Sequence, residues 1–162
     1  MFLSFYIAFN INFMFKHRFP CYSKRSEYVD GDGLFCKVDI PPHTIFIVMD
    51  GDFITDEEYT LRFELGKGGY AHRIRKNTVL DCYDKCNQGL CLGSKSNSAL
   101  HLFHRTTMEP AKNNATNTYD PKTKVMSLKS LSLSIPAHTE IFYPYGSSYK
   151  LEYFGRFCNY IL

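Results

Sequence analysis

The chain has 162 residues, a formal net charge of +3, 44% hydrophobic and 16% aromatic residues, and no tryptophan. That length suits one domain with a core of its own, without metal or disulfide staples. Its Lys and Arg are scattered, which gives no sign of a nucleic-acid groove, and its richness in Phe and Tyr favours a mostly β fold.

Residues Met1 to Phe15 carry no charge, and Ser4, Asn10 and Asn12 interrupt their apolar run. The run is short for a bilayer span, so no membrane partner is expected. A signal peptide wants a basic start and a small-residue cleavage site, whereas Lys16 and Arg18 follow the run. The protein is therefore expected inside the cell, in nucleus or cytoplasm, in preference to being secreted. From Phe9 to Phe15 aromatic and aliphatic residues alternate with Asn10, Asn12 and Met14, the period of a strand. Residues 1–19 read as an N-terminal apolar extension, either an edge strand or, given Met14, a stretch ahead of a later start.

Tyr22 to Tyr28 is polar and charged. Val29 to Ile40 contains Gly31-Asp32-Gly33, a hinge running into a strand that Pro41 and Pro42 end. Ile45 to Met49 is a buried-strand run, and Asp50-Gly51 predicts a hairpin turn into Phe53-Ile54. Thr55 with Asp56, Glu57 and Glu58 predicts a capped helix through about Leu65, stopped by Gly66 to Gly69. Ile74 to Tyr83 reads as a strand and Asn87 to Ser98 as loop or one short turn. Ala99 to Tyr119 is the least regular part, with one apolar patch at Ala99–Phe103. Val125 to Ile135 alternates apolar with polar residues and predicts strands with one polar face.

Pro136 to Thr139 then turns the chain into Glu140-Ile141-Phe142-Tyr143-Pro144-Tyr145-Gly146. This reads as a strand that stops at a Tyr-Gly step and leaves a phenol at its exit, which makes Tyr145 a candidate for chemistry. Tyr143, two residues earlier on the same face, either lines a site or packs; Tyr149 and Tyr153 read as core tyrosines.

The six cysteines, Cys21, Cys36, Cys82, Cys86, Cys91 and Cys158, form no C-x-x-C pair and no zinc-ribbon spacing. Free thiols in a reducing compartment are expected. His101 and His104 read as solvated loop histidines. No metal is assigned.

Four pieces stand in a telling order: the Gly31–Phe35 turn, the apolar strand into Asp50-Gly51, Gly93 to Asn97 followed by Asn114-Ala115, and Glu140 to Tyr149. Together they resemble the SET domain of protein lysine methyltransferases, over about Tyr22 to Tyr149. The resemblance implies a β-clip of small sheets with one or two short helices and a threaded C-terminal segment. The domain would cover 20–150, leaving 151–162 as an aromatic tail. S-adenosylmethionine would lie on one face, against Asp32, Gly33, Leu34, Asn97, Ser98, Asn114 and Tyr145. The target lysine of a protein or peptide, a histone among the candidates, would enter from the other face by a channel near Met49 and Tyr143, with Tyr145 shared between the pockets as the catalytic residue. Methyl transfer from a sulfonium to an amine depends on alignment and on a neutral lysine, which an apolar aromatic channel favours.

This chain departs from the family pattern at Ser94-Lys95-Ser96, which precedes Asn97 where an arginine-aromatic-apolar lead is usual. Ser98 stands where a histidine is usual, Met49 where many members have tyrosine, and the interval from Asn97 to Asn114 is long. These support an alternative, a catalytically inactive SET-like module that binds peptides. A third reading, a secreted or membrane-attached β protein, draws on the N-terminal run and the Asn114-Ala115-Thr116 glycosylation sequon.

Overall fold

The computed structural model of the chain describes residues 18–100 and 102–145. The strand expected within 1–17, the tail 151–162, and His101, Gly146 and Tyr149 lie outside them. Among the described residues the fold is three small antiparallel sheets and little helix. Strands β1 (Cys21–Arg25) and β2 (Asp32–Cys36) form a hairpin that β9 (Glu140–Ile141) joins, in the order β1-β2-β9. A second sheet runs β3 (Ile45–Met49), β8 (Val125–Ser130), β7 (Ala115–Asp120), and a third β4 (Asp52–Ile54), β6 (Thr78–Asp81), β5 (Ala71–Arg75). No helix among these residues is long and apolar enough to cross a membrane.

The helix α1 (Asp56–Glu64) forms as its sequence dictates. Thr55 accepts from Glu58 N at its start, while the Glu58 carboxylate accepts from Thr55 N, a reciprocal capping box. Gly66, at φ 76°, closes the other end, its N–H donating to Phe63 O and that of Lys67 to Arg62 O. A second helix, α2 (Tyr83–Asn87), had no sequence signal.

Three local expectations are corrected. Asp50-Gly51 is no hairpin turn: β3 pairs with β8 and β4 with β6, so the chain crosses there from one sheet to another. Gly51 is required for another reason, since a Cβ on it would stand 2.4 Å from Asp81 O. Ile74 to Tyr83 is not one strand but the end of a β5–β6 hairpin, turned at Lys76-Asn77, where Asn77 takes the left-handed conformation (φ 56°) that asparagine tolerates. The strand of Val125–Ile135 stops at Ser130, leaving Leu131 and Leu133 exposed. Within β8 the polar side is not solvated either: the strand is central, Ser127 and Ser130 are buried, and Ser130 donates to Pro41 O.

The core gathers Leu34, Ile40, Phe46, Met49, Leu80, Leu128, Ile135, Ile141 and Tyr143 from all three sheets. Phe19 joins it, 5% exposed, so the core begins within the segment read as an extension.

Candidate functional site

Glu140 to Tyr143 is gripped by three distant segments. On one side β2 pairs with it, Leu34 opposite Ile141 and Phe35 opposite Glu140. On the other lies the stretch after the 3-10 turn Gly93–Lys95: Asn97 bridges Phe142 in parallel, Tyr143 N donates to Asn97 O, and Ser96 Oγ donates to Ile141 O. From a third direction Asn114 brackets the segment, its Nδ2 donating to Glu140 O at 2.8 Å and its Oδ1 accepting from Phe142 N at 3.0 Å.

The Glu140 carboxylate turns inward and ties these pieces together. It accepts from Asn97 Nδ2 at 3.0 Å and from Ser26 Oγ at 2.8 Å, and Asn97 Nδ2 also reaches Asp32 O. Burial raises the Glu140 carboxyl above its ordinary value, against the two hydrogen bonds, which favour the anion. Gly33 makes room for it: a Cβ there would sit 2.3 Å from Glu140 Oε1. Neither glycine of the Gly31-Asp32-Gly33 hinge has positive φ, so close approach is what Gly33 supplies.

Past β9, Tyr143 and Tyr145 meet edge to face, ring centroids 5.2 Å apart. Tyr145 donates its hydroxyl to Ser96 O at 3.0 Å, and the Tyr143 hydroxyl lies 2.9 Å from His72 Nδ1. His72 Nε2 is 3.0 Å from Ser94 Oγ, which is 3.5 Å from Cys91 Sγ. Burial depresses His72 to about 4, so its imidazole is neutral at physiological pH. Hydrogen bonding with Cys82 foremost holds Cys91 well below the usual thiol range, while Cys82 and Cys86, whose thiol donates to Cys91 O at 3.0 Å, are pushed up.

These residues wall a cavity of about 120 Å³ lined by Tyr59, Tyr70, His72, Arg73, Tyr143 and Tyr145. A surface cleft of about 500 Å³ is lined by Tyr28, Glu109, Lys112, Asn114, Glu140 and Phe142. Tyr143 and Tyr145 face the first, Glu140 and Phe142 the second, as alternate residues of one extended segment must. The last segment is thus a partition with a space on each side.

Most of the residues singled out from sequence meet here. Asp32, Gly33, Asn97, Asn114 and Glu140 form one bonded cluster; Leu34 is fully buried behind it; Tyr145 and Tyr143 line the cavity. Ser98 is buried, with its Oγ accepting from Leu100 N at 3.4 Å. Met49 is the departure. It is 3% exposed in the core beside Gly93 and does not line the cavity. His72, Tyr59 and Tyr70 were missed, since nothing in their local sequence marks them, and Ser94 was noted only as part of the run before Asn97. Among the described residues no group of three or more His, Cys, Asp or Glu is arranged to hold a metal ion.

No protein-family model matches the chain, and no curated protein matches it at a significant level.

Proposed function

We propose that this chain is a SET-type protein-lysine methyltransferase, a β-clip with a threaded last segment that methylates a lysine of a protein or peptide, a histone among the candidates. One observation carries the reading. Two phenols wall the cavity, one donating its proton to a main-chain carbonyl and the other bonded to a neutral imidazole. Its volume, about 120 Å³, is a little below the roughly 150 Å³ that admits a benzene ring. An unbranched chain ending in an amine suits that space.

The aromatic walls disfavour an ammonium and hold the amine neutral, and Tyr145 and Tyr143 orient it through N–H···O bonds. S-adenosylmethionine would supply the methyl group on a sulfonium. The cleft across the partition offers groups such a cofactor could use: Tyr28 and Phe142, packed edge to face, give aromatic surface for a purine, and Lys112 and Glu109 opposite charges for an amino-acid end. Of the residues that the resemblance assigns to the cofactor, Asn114 lines this cleft and Gly33 and Asn97 back its Glu140 wall, with Asp32 O bonded to Asn97; Leu34 and Ser98 are buried, and Tyr145 lines the cavity on the other side of the partition. Asp32 and Asn97 act there chiefly as backbone, because the Asn97 amide is committed to Asp32 O and Glu140.

We place its work inside the cell, in nucleus or cytoplasm, a reading that the free thiols at Cys21, Cys36, Cys82, Cys86 and Cys91 support. The Asn114 sequon weighs little against this, since that amide is tied to the last strand at both ends. One observation favours a second reading, the inactive peptide-binding module: Ser98 is buried and holds a local turn where the family carries a histidine. Calorimetric titration with S-adenosylmethionine separates the two. Heat of binding supports the enzyme, whereas none at millimolar cofactor leaves the module.

A further inference from the structure

Cys21 and Cys36 stand opposite each other at the open end of the β1–β2 hairpin. The hydrogen bonds of that ladder decide what kind of pair they make. Lys37 N donates to Pro20 O at 3.0 Å, and at the other end of the same register Ser26 N donates to Gly31 O at 2.9 Å. Bonded and non-bonded pairs alternate along an antiparallel ladder. Both ends therefore give one phase, in which Cys21 and Cys36 are a non-bonded pair. The Cα atoms of such a pair lie about 4.5 Å apart with their side chains leaning together, inside the range of roughly 4.4–6.8 Å over which a disulfide closes. Both cysteines lie on the core face of the sheet, Cys36 within the core and Cys21 packed against it, while Tyr22 and Phe35 stack on the other face.

The two sulfurs differ in access and in charge. Cys36 is 1% exposed and Cys21 is half-buried, so an oxidant arriving from solvent meets Cys21 first. Hydrogen bonding with Cys21 foremost, helped by the main-chain N–H groups of Val38 and Lys37, lowers Cys36 to about 6 against the effect of burial, while hydrogen bonding with Cys36 and burial push Cys21 up. Cys82, Cys86 and Cys91 are at most 2% exposed, and none has a solvent-facing partner of this kind among the described residues.

We propose that Cys21 and Cys36 are an oxidisable pair, which a hydroperoxide converts to a disulfide that locks β1 to β2. The Cys21 sulfur attacks one peroxide oxygen, the O–O bond breaks, and the thiol proton leaves with the departing oxygen; hydrogen peroxide thus gives Cys21 sulfenic acid and water. The Cys36 thiolate then attacks the Cys21 sulfur, the S–O bond breaks, and the departing hydroxide takes up a proton as a second water. The two thiols lose two electrons, which the peroxide gains. The bridge closes a loop of about 15 residues. β2 is the middle strand of its sheet, paired on its far side with Glu140–Ile141 and bonded through Cys36 O to His138 N. Oxidation therefore fixes the strand that grips the last segment. Neither thiol has a part in methyl transfer, so the pair stands or falls by itself.

The test adds hydrogen peroxide to the reduced, folded, unsubstituted protein at neutral pH, then alkylates the remaining thiols and digests with trypsin without reductant. Lys24 and Arg25 separate the two cysteines in sequence, so the bridge is read in mass spectra as peptides 19–24 and 26–37 joined, and it disappears with dithiothreitol. We expect that joined pair as the first disulfide formed, with the melting midpoint raised by about 6–12 °C, the shift a loop of this length gives. In folded Cys36→Ser, dimedone should trap the sulfenic acid at Cys21. Both thiols still open to alkylation after peroxide, a first disulfide involving any other cysteine, a midpoint that stays or falls, or no dimedone adduct at Cys21 in that variant each overturns the proposal.

Discussion

Gly33→Ala tests the cluster behind β9 with the smallest change available, a single methyl group. That Cβ would stand 2.3 Å from Glu140 Oε1, 2.6 Å from Cδ and 3.1 Å from Cγ, too close for the carboxylate to stay. Glu140 is 6% exposed, so in place its carboxylate relies on its hydrogen bonds more than on water. Moving it forfeits the bonds from Ser26 Oγ and Asn97 Nδ2, each worth about 1.5–3 kcal/mol as a hydrogen bond to a charged group. Stiffening the unfolded chain by replacing glycine returns about 0.4–1 kcal/mol. The net loss is about 3 kcal/mol, which for a chain this size lowers the melting midpoint by about 6–12 °C. Circular dichroism melts and urea titrations read it directly. The decisive arm is a double-mutant cycle: in a Glu140→Ala background the same Gly33→Ala should cost little, because the clashing group is gone. A Gly33→Ala protein as stable as its parent, or an equal loss in both backgrounds, would refute the packing of Gly33 on Glu140.

Other outcomes follow from the same site. Burial raises Glu140 above its ordinary 4.5, so folding favours the protonated form; the stability this gives is present below pH 4.5, is lost as pH rises through the folded value, and should vanish from the pH profile of Glu140→Gln, as unfolding free energies measured at several pH values will tell. His72 has the opposite sign. With a folded value of about 4 against 6.5 unfolded, its contribution is full above pH 6.5 and falls away as pH drops toward 4, up to about 3 kcal/mol that His72→Phe should not lose. Met49→Ala should cost about 2–5 kcal/mol of stability in a urea titration as a core truncation, yet leave the affinity of a lysine peptide unchanged in the refolded fraction. A peptide affinity that tracks Met49 would return it to the channel.

What could be read from the sequence was what is local. The capping box Thr55–Glu58 needs only four residues to specify the start of α1, and Gly66 alone marks its end. The run Ile45–Met49 announces a buried strand, and the Tyr145 step announces a strand exit. The β5–β6 hairpin escaped because Asn77, not glycine, takes its left-handed turn position, and because Arg73 and Arg75 hide the strand's apolar residues. Gly51 looked like a turn residue because a close approach to Asp81 leaves no local trace. In the site, Gly33, Asn97, Asn114 and Tyr145 were legible as a pattern, whereas His72 was not. Its partners Ser94 and Tyr143 stand 22 and 71 positions away, and only the packing of β5 against the last segment brings them within reach.

The central claim, that the two phenols hold an amine for methylation, is tested most directly by transfer of radiolabelled methyl from S-adenosylmethionine to a histone mixture and to the same mixture with its lysines blocked. The account predicts label on the unblocked mixture alone, with Tyr145→Phe lowering the rate by about 100-fold or more, the usual scale for losing one positioned polar contact to the reacting group. Label that survives lysine blocking, or a Tyr145→Phe protein as fast as its parent, would contradict it.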